Sequence, residues 1–179
     1  MGRFHLVKGV DILIKSINEI KKFLKLKNIK CVIMGADFGY QNMMFELIKK
    51  FNLENQIIII AKPPREYIIS AYEQSKILVL PSRWELSPLT PLEGFVFKKP
   101  VISSNCHGIP YTIRNGKNCI LTKINDYKQI AESIEYLLNN EKIRSKMGEE
   151  GFNQVITECN SKEMTKRIED IYKKINQME

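Results

Sequence analysis

Glu85 and Glu93 stand eight residues apart in Pro81-Ser82-Arg83-Trp84-Glu85-Leu86-Ser87-Pro88-Leu89-Thr90-Pro91-Leu92-Glu93, directly after the apolar run Ile77-Leu78-Val79-Leu80. An ionised carboxylate is costly to bury without a partner, so hydroxyls or cations are what these two would meet. Arg3 and Lys8 add a forked guanidinium and a compact ammonium, a pair suited to a pyrophosphate. Together the four side chains point to a ligand rich in hydroxyls that also carries phosphates. Each has a plainer reading beside it. Arg3 and Lys8 could form an exposed basic turn, and Glu85 a surface glutamate beside Arg83. Thr90-Pro91-Leu92-Glu93 is a Thr-x-x-Glu capping box with proline at the first helical position. In the alternative start Ser87 caps and Pro88 takes the first position, so that Leu89 and Thr90 present free backbone N–H groups to an anion.

The elements that must position these residues follow from periodicity. An apolar run ending in Pro-Ser, a proline-containing turn and a helical pattern form the strand–loop–helix junction where α/β folds place ligands. Strand-like runs fall at Lys30–Gly35, Gln56–Ala61, Ile77–Pro81, Val101–Ser104 and Cys119–Thr122. Helical patterns lie between them at Gln41–Asn52, Arg65–Gln74 and Leu89–Phe97. This alternation predicts an α/β fold, a doubly wound, Rossmann-like parallel sheet covered on both faces. A first helix carries the apolar stripe Val10, Leu13, Ile14, Ile17, Ile20 and Leu24, with Asp11, Lys15, Asn18, Lys22 and Lys25 as its wet face. Beyond Asp126 the pattern is helical only: Tyr127–Asn139, Glu141–Thr157 with a possible break at Gly148 and Gly151, and Ser161–Ile175.

Composition narrows the class. A chain of 179 residues with 44% apolar content supports one domain, residues 1–179, and the longest apolar runs are strand-sized. No charged region followed by an apolar stretch marks a signal peptide at the start. Cys31, Cys106, Cys119 and Cys159 show no Cys-x-x-Cys spacing, as expected of reduced thiols in a cytoplasmic protein. His107 and His5 are the two histidines and suggest no metal site. The net charge of +8 is uneven: residues 1–50 hold ten Lys/Arg against four Asp/Glu. Lys15, Lys21, Lys22, Lys25, Lys27 and Lys30 supply most of the excess, which suits a solvated face or an anionic lipid surface. Nucleic acid is the weaker alternative, since no aromatic interleaving or recognised motif accompanies the charge.

Glu-x7-Glu after a Pro-Ser strand end resembles the donor-site motif of retaining, nucleotide-sugar-dependent glycosyltransferases of the GT-B type, group 1 or family 4. Four further segments agree in order: Gly2-Arg3-Phe4 with Lys8-Gly9; Val32-Ile33-Met34-Gly35; Lys99-Pro100-Val101-Ile102-Ser103-Ser104 with Gly108-Ile109-Pro110; and Asn115-Gly116-Lys117-Asn118-Cys119-Ile120-Leu121. The resemblance covers nearly the whole chain and implies the C-terminal, donor-binding half of that fold. It implies that Arg3 and Lys8 hold the donor diphosphate and stabilise it on departure. It implies that the Leu89 and Thr90 amides meet the diphosphate, that Glu93 binds the ribose diol, and that Glu85 holds donor-sugar hydroxyls in a positioning role. Gly35 would permit close ligand approach, and Ala61 and Lys62 would contact the base through backbone groups.

The resemblance further implies transfer of a sugar, with retention, to a glycan or lipid-linked acceptor, in the cytoplasm or at the inner face of a membrane with peripheral contact. No Asp-x-Asp motif is present, so no metal cofactor is expected. Several positions depart from the family pattern. Lys62-Pro63-Pro64 replaces a glycine pattern, Pro88 and Lys98 stand where glycine is common, and Tyr111 takes the place of a frequent glutamate. The family has an apolar strand and an N-terminal acceptor domain ahead of Gly2. The expectation is therefore a partial chain that is inactive alone. A binding module that keeps the fold without transfer is the rival reading.

Overall fold

Short apolar runs become parallel strands here because a helix after each one returns the chain to the same end of the sheet. The structure is a computed structural model that describes residues 2–21 and 29–177. After a single 3-10 turn at Leu6–Lys8 come α1 (Val10–Ile20), β1 (Cys31–Gly35), α2 (Gln41–Lys50), β2 (Ile57–Ala61), α3 (Arg65–Gln74) and β3 (Leu78–Leu80). They are followed by α4 (Thr90–Val96), β4 (Val101–Ser104), α5 (Ile109–Thr112), β5 (Cys119–Thr122), α6 (Tyr127–Asn139), α7 (Glu141–Glu158) and α8 (Ser161–Asn176). Among the described residues the five strands form two parallel sheets, β1-β2 and β3-β4-β5. Cys31 pairs with Ile57 in the first, Leu78 with Val101 and Val101 with Cys119 in the second. The parallel α/β architecture read from the sequence is present, divided by a slot between β1 and β3.

The main core joins α1, α2 and α6 to the strands through Phe4, Ile14, Ile17, Met44, Leu53, Ile102, Ile130 and Leu137. α1 is not the half-wet helix its sequence suggested. Asp11, Ser16 and Glu19 are buried along with its apolar stripe. Asp11 pairs with Arg83, so a residue assigned to the wet face lies inside. On that wet stripe Lys15 reaches Asp11 Oδ2 at 3.4 Å, while Lys22 and Lys25 lie outside the described residues, as do Leu24 of the apolar stripe and Lys27.

α7 runs unbroken through Gly148 and Gly151. Both glycines serve packing. A Cβ on Gly148 would stand 2.0 Å from the Lys98 carbonyl oxygen, and one on Gly151 would stand 2.3 Å from the Phe95 ring. Lys98 itself sits at φ 54°, a left-handed position that glycine adopts more easily.

Candidate functional site

The N-terminal segment spans the C-terminal ends of both sheets. Gly2 N–H donates to Met34 O at 3.1 Å, and a Cβ on Gly35 would collide with Gly2 O, so these backbones touch. Gly9, at φ 65°, presses equally closely on the Pro81 carbonyl at the end of β3. Only glycine permits that approach in that conformation. The 3-10 turn between them is capped by His5, whose Nδ1 accepts from Val7 N–H at 3.2 Å.

This turn aims Lys8 at Glu85. The ammonium lies 2.6 Å from Glu85 Oε1, and the same oxygen accepts from Ser82 Oγ–H at 2.8 Å. Glu85 is 7% exposed. Its carbonyl also accepts from Gly108 N–H at 2.9 Å, which docks the loop after β4 onto the loop after β3. Glu85 is therefore a buried, ion-paired carboxylate. Arg83 turns the other way and clasps Asp11 through two bonds of 2.8 Å. Burial alone would raise the Asp11 pKa, but the hydrogen bonds and charge of Arg83 outweigh it and hold the carboxyl below its ordinary value.

Glu93 occupies the first turn of α4 on an exposed face. Its Oε2 accepts from Tyr72 O–H at 2.6 Å, which ties α4 to α3. Burial, then the hydrogen bond and charge of Glu93, push the Tyr72 phenol well above its usual range, so it stays a donor. Tyr72 also stacks on Phe97 with ring centroids 5.4 Å apart. Neither capping start read from the sequence is formed. α4 begins at Thr90 with Leu89 as its cap residue, and no side chain caps it. Leu89 is exposed, while Pro88 is buried.

Arg3 is exposed, with its guanidinium 5.4 Å from the Phe38 ring centre. Ala61 ends β2, and Lys62 follows at φ 50°. The Lys62 N–H bonds Gly35 O at 2.8 Å, so that amide is not free for a base. The structure thus brings Lys8 to Glu85, and Gly35 to Gly2 and Lys62, while Glu93 is held separately by Tyr72. Sequence reading missed Ser82, Tyr72 and the Arg83–Asp11 pair. Ser82 lay inside the quoted motif, whereas the other two had no local signal. His107 is an exposed loop residue with its ring 5.9 Å from that of Trp84. The four cysteines are free, and burial pushes Cys119 up to about 12. Among the described residues no cluster of three or more His, Cys, Asp or Glu side chains is arranged to hold a metal ion.

A Rossmann-like half with basic and acidic side chains at its strand ends has a matching family. The family described as glycosyl transferases group 1 matches residues 1–154. The chain belongs to that family. The capsular polysaccharide biosynthesis glycosyltransferase CapM of Staphylococcus aureus is 28% identical over 172 residues, covering 96% of this chain and 44% of CapM. The chain therefore spans less than half the length of that relative. The crystallised C-terminal domain of a group 1 glycosyl transferase, LpcC from Francisella tularensis, superposes with a TM-score of 0.81 at 25% identity, covering 90% of this chain and 84% of that one. Anabaena HepE, solved in complex with UDP, has the same fold, with a TM-score of 0.86 at 16% identity over 97% of this chain and 48% of HepE. The fold is thus that of a GT-B glycosyltransferase C-terminal domain. No helix among the described residues of this group 1 chain is long and apolar enough to cross a membrane.

Proposed function

We propose that this chain is the donor-binding half of a glycosyltransferase that moves a sugar, with retained anomeric configuration, from a nucleoside diphosphate sugar to a glycan or lipid-linked acceptor. The observation that carries this reading is the Lys8–Glu85 pair at 2.6 Å, set where the N-terminal turn meets the end of β3. A lysine ammonium has three donors, so one bond to Glu85 leaves two for phosphate oxygens. Arg3, exposed on the same segment, adds a forked set. These charges would stabilise the departing diphosphate without proton transfer from the protein. Glu85, fixed by Lys8 and Ser82, suits holding sugar hydroxyls and orienting the ammonium. A nucleophile's role suits it less, because its charge is already committed. Glu93, aligned by Tyr72, offers its second oxygen to a ribose diol. The Leu89 and Thr90 amides would lie along the diphosphate. Gly35 leaves room for the ligand beside them, and Ala61 and Lys62 border the base.

UDP bound to HepE and the polysaccharide role of CapM support a nucleotide-sugar donor and a glycan product. A hexose is the sugar this reading assigns. The reaction would run in the cytoplasm without a metal cofactor, and the charge excess in residues 1–50 suits contact with the inner membrane face.

Binding is testable directly. Saturation at about 100 times the dissociation constant adds about 2.7 kcal/mol of stability. Uridine, guanosine, adenosine and cytidine diphosphates would be screened by thermal shift, with and without EDTA. One of them should raise the melting temperature equally in both conditions. No rise with any, together with a calorimetric blank, would overturn the donor reading.

A further inference from the structure

Asp11 lies in the first turn of α1 and is 6% exposed, yet the donor reading gives this carboxylate nothing to do. Several segments converge on it. Arg83, from the loop after β3, donates two bonds of 2.8 Å to its two oxygens. Tyr40, the cap residue of α2, turns its phenol to the same carboxylate from the end of the loop after β1. Lys15 reaches it at 3.4 Å from one turn further along α1.

Arg83 in turn grips the 3-10 turn. Its backbone N–H donates to Val7 O at 2.7 Å, and Nη1 donates to Leu6 O as well as to Asp11. Those carbonyls belong to the two residues directly ahead of Lys8. Two residues beyond Arg83, the same loop carries Glu85, which the Lys8 ammonium meets at 2.6 Å. A guanidinium bridges a carbonyl and a carboxylate with one rigid planar fork, which the single ammonium of a lysine does not reproduce.

We propose that Arg83 and Asp11 are positioning residues for the donor diphosphate: Asp11 fixes the guanidinium, the guanidinium fixes the Leu6 and Val7 carbonyls, and these set Lys8 where it reaches both Glu85 and a phosphate oxygen. The inference rests on the donor reading and deepens it. Arg83 makes no phosphate contact in this arrangement, because its fork is already taken up by Leu6 and Asp11. The sign of one effect separates positioning from simple attraction. A carboxylate repels an anionic ligand through space, so a field effect alone would make Asp11→Asn bind a diphosphate more tightly. Positioning makes it bind more weakly.

Calorimetric titration with UDP, GDP, ADP and CDP decides this. The proteins are the unmodified chain, Asp11→Asn, Arg83→Lys, Lys8→Ala, and each of the first two variants combined with Lys8→Ala. All are compared at a temperature at which their amide spectra show them folded. Asp11→Asn and Arg83→Lys should each weaken the nucleotide that binds by roughly tenfold, the equivalent of one lost charge-assisted hydrogen bond. In the Lys8→Ala background neither should weaken it further, since both act through Lys8. Without ligand, amide exchange at Lys8 and Gly9 should quicken in both variants. Equal or tighter binding by Asp11→Asn, or losses that add to that of Lys8→Ala, overturn the inference and leave the donor reading standing. Binding of none of the four nucleotides by the unmodified chain overturns the donor reading and the inference with it. If Asp11→Asn does not fold, Arg83→Lys decides alone: full affinity overturns the inference, and a loss that vanishes in the Lys8→Ala background supports it.

Discussion

The Lys8 ammonium and the Glu85 carboxylate meet at 2.6 Å although 77 residues separate them in sequence. Each restrains a loop that local sequence leaves free: the turn after Phe4 and the loop after β3. The pair therefore ties the N-terminal turn, which rests on the end of β1, to the loop that follows β3.

Breaking this pair should be worse than deleting it. Lys8→Ala strands a buried carboxylate, whereas Lys8→Ala with Glu85→Gln removes the charge as well. A double-mutant cycle by urea denaturation should return a coupling of about 1–3 kcal/mol. Additive single effects would show that the contact contributes nothing to the fold. In the donor assay Lys8→Ala should weaken a bare nucleoside diphosphate, and Glu85→Gln should act mainly when the sugar is present.

Tyr72→Phe removes the hydroxyl that holds Glu93. A hydrogen bond to an ionised group is worth about 1.5–3 kcal/mol, but the exposed carboxylate regains water, so a stability loss nearer 1 kcal/mol is expected. Glu93→Gln should weaken nucleoside diphosphate binding, and Tyr72→Phe should do so to a smaller degree. Calorimetric titration of both variants checks this; unchanged affinity in Glu93→Gln would remove Glu93 from the site.

Asp11 gives the fold an acid limit. Its folded pKa lies below the ordinary 3.8, so its pair with Arg83 contributes fully above that value and is lost as pH falls through the folded value. Urea midpoints measured from about pH 6 to about pH 2.5 should fall across the acid end. In Asp11→Asn the midpoint should start lower and fall less steeply. Parallel curves for the two proteins would assign the acid sensitivity elsewhere.

Alanine is usually favoured over glycine inside a helix by about 0.5–1 kcal/mol. In α7 the sign should reverse. The Gly148→Ala methyl meets the Lys98 backbone, which cannot swing aside, and a loss of about 1–3 kcal/mol is expected. A rise in the thermal midpoint of Gly148→Ala would show that α7 can move away from Lys98 without loss.

The sequence by itself determined the order of elements and most of their limits. Arg65–Gln74 and Tyr127–Asn139 were read with the bounds they have, because amphipathic spacing and flanking breakers are local properties of the chain. The segments that carry the donor motif were legible for the same reason: each is a short run ending a strand or opening a helix. Only the tertiary structure decided what the charged groups do. Periodicity marks which face of α1 is apolar, but not that neighbours cover the other face, so Asp11 looked wet until Arg83 closed on it. The glycines of α7 left a break open in the sequence because their partners, Lys98 and Phe95, lie outside that helix. Lys8 with Glu85, and Tyr72 with Glu93, have the same origin. An ion pair or hydrogen bond formed across elements has no periodicity to announce it, and only the packing of strands and helices brings its two halves together.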